Sequence, residues 1–140
     1  HISGPSRTGE GLFRSIKSAL NEAKIESSQI EFISAHGTAT IYNDEMESIA
    51  FSRLKLQNVP INSLKGYYGH TLGASGLLET VIGIESLKRN RLYKSLGFEN
   101  AGTSEKINVI ATNKEAALKI FLKTASGFGG CNTAVIFEKI

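Results

Sequence analysis

Three short stretches gather the residues whose types could do chemistry: "SAHGTAT" at 34–40, "LKGYYGHTLGASG" at 64–76 and "ASGFGGCN" at 125–132. They hold His36, His70, Lys65 and the only cysteine, Cys131, among many glycines. Taken singly, each has a plain structural use. His36 suits a turn after a strand, His70 a helix entrance and Lys65 a loop. "GFGG" suits a hairpin loop in which glycines take positive φ and Phe128 packs on the core. Metal binding is not expected, because the histidines lack close ligand spacing and have no nearby carboxylate or cysteine partner.

The surrounding elements give these stretches a common position. Leu12, Ile16, Ala19, Leu20 and Ala23 recur at helical spacing after the glycine-rich opening and predict an amphipathic helix. "IEFISA" predicts a strand. A second helix is expected with Asn43 as its N-cap, Asp44, Glu45 and Glu47 in its first turn, and Met46, Ile49, Ala50 and Leu54 as its apolar face. "VPINSL" reads as a short extended piece. A third helix, from about Thr71 to Lys88, is apolar nearly all round and is expected to be central and buried. Gly73, Gly76 and Gly83 within it point to close approach by another backbone. "KINVIAT" predicts a strand, "TNKEAALK" a loop or weak helix, and "IFLKTA" and "TAVIFEK" two strands joined by a glycine-rich turn. This order predicts an α/β fold: a mixed five-stranded sheet, helices on both faces and a C-terminal antiparallel hairpin. All three stretches then fall at strand ends or helix starts, where open α/β sheets place binding sites.

Composition narrows the classes. With 140 residues, 41% hydrophobic and 21% charged, the chain reads as one soluble globular domain, residues 1–140. No apolar run is long enough to cross a membrane and none resembles a signal peptide, so cytosol is the expected compartment. One cysteine excludes an internal disulfide framework. The net charge of +3 is spread along the chain, and nucleic acid is not an expected partner. The densest basic cluster, Lys88, Arg89, Arg91 and Lys94, reads as a solvated helix end or as a surface for an acidic partner. The first residue is His1 and the only methionine is Met46, as expected of a processed or truncated chain.

The three stretches in sequence, "HGTAT", then K-x4-H-x2-GA-x-G-x2-E, then "GFGG-x-N", resemble the C-terminal half of the β-ketoacyl-acyl carrier protein synthases. These are the condensing enzymes of fatty acid and polyketide synthesis. The resemblance covers essentially the whole chain and implies one half of a thiolase-like fold, whose nucleophilic cysteine lies in an N-terminal half not contained in these residues. It implies decarboxylative Claisen condensation of malonyl-acyl carrier protein with an acyl thioester, with the isolated fragment inactive. The expected partners are acyl carrier protein and the N-terminal half, within a full-length homodimer. No cofactor is expected beyond the phosphopantetheine arm that carries the substrate.

By the same resemblance, His36 and His70 are catalytic and stabilise the enolate formed as malonyl loses CO2. Lys65 is their electrostatic neighbour, and Glu79 is a buried support residue for which Lys65 is the obvious partner. Thr38 and Thr40 contact the phosphopantetheine arm, and Phe128 belongs to a mobile loop that gates the acyl pocket. Cys131 is not the nucleophile on this reading. Ala39 stands where the family motif has a second glycine, and Ser126 where many relatives carry phenylalanine. Two other readings share the fold: a chain-length-modulating partner subunit, and a non-catalytic interaction domain. Intact His36, His70 and Lys65 speak against the last of these.

Overall fold

The computed structural model describes residues 4–140. Helix α1 (Glu10–Ala23) buries Leu12, Ile16 and Leu20, one residue per turn, as its periodicity requires. Strand β1 (Phe32–Ser34) leads through His36 into α2 (Ile41–Arg53), and β2 (Pro60–Asn62) into the single-turn α3 (Lys65–Tyr68). A 3-10 turn at Leu72–Ala74 precedes α4 (Ser75–Arg89). The short strands β3 (Arg91–Leu92), β4 (Asn108–Val109) and β5 (Lys114–Glu115) follow, then the long hairpin of β6 (Ile120–Gly127) and β7 (Cys131–Glu138).

The main sheet has the order β4-β2-β1-β6-β7. Its first four strands are parallel neighbours, and β7 closes it antiparallel to β6. The expected mixed five-stranded sheet with a terminal hairpin is therefore the observed one. Side chains alternate along the central strands and divide the core in two. Ile33 and Leu122 join Leu12, Ile16, Met46, Ala50 and Phe51 on the α1 and α2 side. Phe32 and Phe121 join Leu87, Leu92 and Leu118 on the α4 side. Phe121 stacks between Phe32 and Phe137, with ring centroids 4.8 and 4.9 Å away.

Several elements depart from their sequence-based reading. The amide of Asp44 already bonds to the carbonyl of Thr40, so Thr40 is the N-cap of α2 and Asn43 lies inside the helix. Glu47 then falls beyond the first turn and is buried. Residues Lys114 and Glu115, expected as loop or helix, form an antiparallel pair with β3. Leu72 takes a left-handed φ of 53°, which breaks the expected continuous helix over 71–88. Phe128 sits in the β6–β7 turn 87% exposed, so it does not pack on this core. Lys88 and Arg89 close α4 and both pair with Glu85, as a solvated helix end does. Among the described residues, no helix is long and apolar enough to cross a membrane.

The third expected helix differs most in which face it buries. Ser75, Glu79, Gly83, Ser86 and Leu87 of α4 point inward, whereas Leu77 is 71% and Val81 51% exposed. The inner face is thus mostly small and polar and the outer face apolar. Gly83 is needed for close approach, but to a side chain rather than a backbone: a Cβ there would lie 2.5 Å from carbons of the Phe121 ring. That ring is fixed in its stack. Gly83→Ala is expected to cost about 1–3 kcal/mol through overpacking, despite the better helix propensity of alanine. Urea unfolding of the variant checks this, and an unchanged or higher midpoint would contradict it.

Candidate active site

The end of β1 and the start of α2 build the first wall of the site. Glu47 reaches back from α2, and its carboxylate accepts the backbone N–H groups of His36 at 2.9 Å and Gly37 at 2.8 Å. Asn43 donates to the same carboxylate at 2.8 Å. Two consecutive amides held by one rigid helix fix the loop that presents the His36 ring. Gly37 (φ 44°) and Ala39 (φ 56°) both take left-handed backbone, and a Cβ at Gly37 would lie 2.5 Å from the Cβ of Ser63. At residue 39 the chain carries the strain of an alanine in a conformation that glycine adopts freely, a cost of about 1–2 kcal/mol. The hydroxyls of Thr38 and Thr40 lie 2.7 Å apart, one half-buried and the other exposed.

Lys65 opens α3, and its buried ammonium crosses to the same loop. It donates to the carbonyl of His36 and to Glu79 Oε1, the latter at 2.6 Å, and lies 3.5 Å from His36 Nδ1. Glu79 is fully buried on the inner face of α4. Its second oxygen accepts from Lys123 Nζ at 2.6 Å, and Lys123 also donates to the carbonyls of Ser34 at 3.2 Å and Ala35 at 3.1 Å. A carboxylate between two ammonium groups satisfies a buried charge that would otherwise be prohibitive.

His70 is not on α4, nor on the same helix as Glu79. It lies in the link between α3 and the 3-10 turn and is exposed in this chain. The left-handed turn at Leu72 brings the Leu72 N–H to 3.0 Å from His70 Nδ1, which accepts it. The His70 ring meets His36 edge-on, with centroids 5.2 Å apart and planes at 79°. Burial, with the positive charge of Lys65 behind it, pushes the pKa of His36 down to about 3, so this ring is neutral. An ammonium cannot accept a hydrogen bond, so the neutral His36 ring faces Lys65 with an unprotonated Nδ1 and carries its hydrogen on Nε2. The neutral form of His70 does the same, because its Nδ1 receives the Leu72 amide.

A cleft of about 790 Å³ opens beside these groups, walled by Gly37, Thr38, Thr40, Lys65, His70 and the loop at 95–103. His36, His70, Lys65 and Glu79 are thus joined in one contact chain, with Thr38 and Thr40 on the cleft wall. Phe128 is not among the residues described as lining it. Cys131 is a free, exposed thiol at the start of β7. Among the described residues, no group of three or more His, Cys, Asp or Glu could hold a metal ion. Sequence reasoning missed Glu47 as a backbone clamp and Lys123 altogether. The available signal for Lys123 was a lysine inside the apolar strand "IFLKTA".

The depressed His36 pKa has a signed consequence. The unfolded chain takes up a proton below the ordinary value of 6.5, whereas the folded chain does so only near 3. The stability contributed by this group is present above pH 6.5 and is lost as pH falls through that window. The His36 ring resonances are expected to stay in one charge state between about pH 5 and 8 in histidine-resolved NMR. Acid unfolding of His36→Gln should be less pH-dependent between pH 6.5 and about 3.

Residues 1–99 match the family described as "Beta-ketoacyl synthase, C-terminal domain". The putative mitochondrial 3-oxoacyl-[acyl-carrier-protein] synthase of Schizosaccharomyces pombe is 32% identical over 99% of this chain and 35% of its own length. A crystal structure of a β-ketoacyl synthase from Burkholderia phymatum superposes with a TM-score of 0.92 at 33% identity, over 100% of this chain and 34% of that one. A type II polyketide ketosynthase, solved in complex with its acyl-carrier protein and bound to a hexaketide, gives 0.94 at 28% identity, over 100% of this chain and 35% of that one. The chain spans about a third of the length of the relatives it matches. Matched by the family along most of its sequence and sharing the fold along all of it, this chain belongs to the β-ketoacyl synthases and corresponds to their C-terminal domain.

Proposed function

We propose that the chain supplies the malonyl-handling side of a decarboxylative condensing enzyme, a 3-oxoacyl-acyl carrier protein synthase of fatty acid or polyketide synthesis. One observation carries this reading: two adjoining imidazoles each have Nδ1 occupied as an acceptor, so each directs its N–H from Nε2. Two such donors suit a single thioester oxygen. As the bond to the malonyl carboxylate breaks, CO2 leaves and its electron pair passes into the enolate, whose oxygen becomes the anion. His36 stays neutral and does not hand a proton to the carbanion. The nucleophilic carbon then attacks the carbonyl of an acyl thioester, a C–C bond forms as the C–S bond breaks, and the thiolate that carried the acyl group departs without it.

That thiolate belongs, on this reading, to a cysteine in a preceding half outside this chain, and Cys131 has no part in it. The same half covers the apolar outer face of α4, formed by Leu77, Leu78 and Val81. Acyl carrier protein presents the malonyl group on its phosphopantetheine arm, which enters the cleft past Thr38 and Thr40. Phe128 gates the acyl pocket formed with that half, which accords with its exposure here. Lys65 acts through its charge, and Glu79 supports it. No further cofactor takes part.

Replacing His36 or His70 by alanine in the full-length protein is expected to slow malonyl decarboxylation by about 100- to 1,000-fold, the usual effect of losing one oxyanion donor. Release of CO2 from malonyl-acyl carrier protein measures it. An unchanged rate in the double variant would overturn the enzymatic reading. The isolated chain should not elongate an acyl-carrier-protein-bound acyl group, and elongation by it would remove the need for a separate nucleophile.

A further inference from the structure

Lys123 occupies the centre of β6, a strand flanked on both sides by β1 and β7. It shares the α4-facing side of the sheet with Phe121, two residues earlier, where an apolar side chain would be the ordinary choice. Instead it is 3% exposed, and all three of its N–H bonds are committed: Glu79 Oε2, the Ala35 carbonyl and the Ser34 carbonyl. Lys65 takes the next carbonyl along, that of His36, and the other oxygen of Glu79. Three consecutive carbonyls, at residues 34, 35 and 36, therefore end on two ammonium groups joined by one carboxylate.

We propose that Lys123 is a positioning residue of this site, which fixes the backbone that presents His36 and holds the Glu79 carboxylate to which Lys65 is bound. The proposal rests on the enolate-stabilising function given above. Without Lys123, one oxygen of Glu79 and the carbonyls of Ser34 and Ala35 lose the ammonium that donates to them, and the carboxylate is free to turn away from its bridging position. Lys65 and the His36 loop then lose their fixed register. The charge balance changes too. The groups facing His36 are Lys65 from α3, Lys123 from β6, Glu79 from α4, Glu47 from α2, and His70 from the link before α4. Two lysines oppose two carboxylates, and burial raises the pKa of Glu47 while it lowers that of Lys123. Removing one cation leaves two carboxylates against one lysine and favours the imidazolium form of His36. A charged His36 would protonate the enolate and divert it from condensation.

The test uses the full-length protein with Lys123→Met, with malonyl decarboxylation, condensation and His36 NMR titration as readouts. The expected result is a loss of about 100-fold in kcat for decarboxylation, the scale of a small misplacement of reacting groups, with KM little changed. The acid limb of condensation and the His36 titration should both move to higher pH. Adding Glu79→Gln restores the charge balance and should return the acid limb toward its original position, a coupling that independent structural damage would not produce. Wild-type kcat together with an unmoved limb in Lys123→Met would overturn the proposal. Should that variant fail to fold, Lys123→Gln keeps N–H donors without the charge, and an unmoved limb in it overturns the proposal equally. Absence of decarboxylation in the unaltered full-length protein would refute the proposed function instead, while the His36 titration would still decide the part played by Lys123.

Discussion

The arrangement of this site depends on one buried carboxylate held between two lysines. Glu79 has no solvent exposure, and its two oxygens each sit 2.6 Å from an ammonium nitrogen, Lys65 on one side and Lys123 on the other. Removing one partner from a buried ion pair costs about 3–5 kcal/mol, because the charge left behind has neither water nor a counterion. The three groups come from α3, α4 and β6, so the ionic contact ties three separate elements to the end of β1. That end carries His36.

Around this contact, the interior is sorted by strand alternation. The α1 and α2 side is filled by aliphatic packing, with Leu12, Ile16, Met46 and Phe51 against Ile33 and Leu122. The α4 side is aromatic toward the C-terminal end of α4, where Phe32, Phe121 and Phe137 stack, and ionic toward its start, where Glu79 meets the lysines. Gly83 marks the boundary between the two, because only a residue without Cβ lets α4 lie against the Phe121 ring. The helix therefore approaches the sheet closely enough for a glutamate to reach across it. The first turns of its inner face are occupied by this polar work, and Leu77, Leu78 and Val81 are left on the outside.

Much of the fold was legible because its signals are local. The periodicity of Leu12, Ile16 and Leu20 and the apolar runs of β1 and β6 depend only on neighbouring residues, as does the glycine-rich turn between β6 and β7. The errors came where tertiary contacts outweigh local preference. Asn43 is a good N-cap in isolation, yet Thr40 caps the helix and Asn43 is spent on Glu47. An all-round apolar helix reads as buried, yet α4 turns Leu77, Leu78 and Val81 outward because the inner face over its first turns is taken by Ser75, Glu79 and Gly83. Lys114 and Glu115 have no strand signal of their own, and their short strand exists through pairing with Arg91 and Leu92.

For the site, the sequence by itself determined which chemistry is present: two histidines, a lysine and a glutamate in motifs whose order and spacing mark a family, with glycine at the turn that needs it. It also bounded the fold, since alternating strands and helices followed by a hairpin allow few sheet orders. Only the tertiary structure decided how those groups meet. The tautomers of His36 and His70 follow from hydrogen bonds to Lys65 and to the Leu72 amide, the second of which exists because one residue takes a left-handed turn. The part of Glu47 follows from a helix that starts earlier than its sequence implies. Lys123, 44 residues from Glu79 in the chain, becomes its partner only when β6 is laid beside β1 beneath α4. Local sequence states which charges exist, but the energy of a buried charge depends on what surrounds it, and that is fixed only when distant segments pack together.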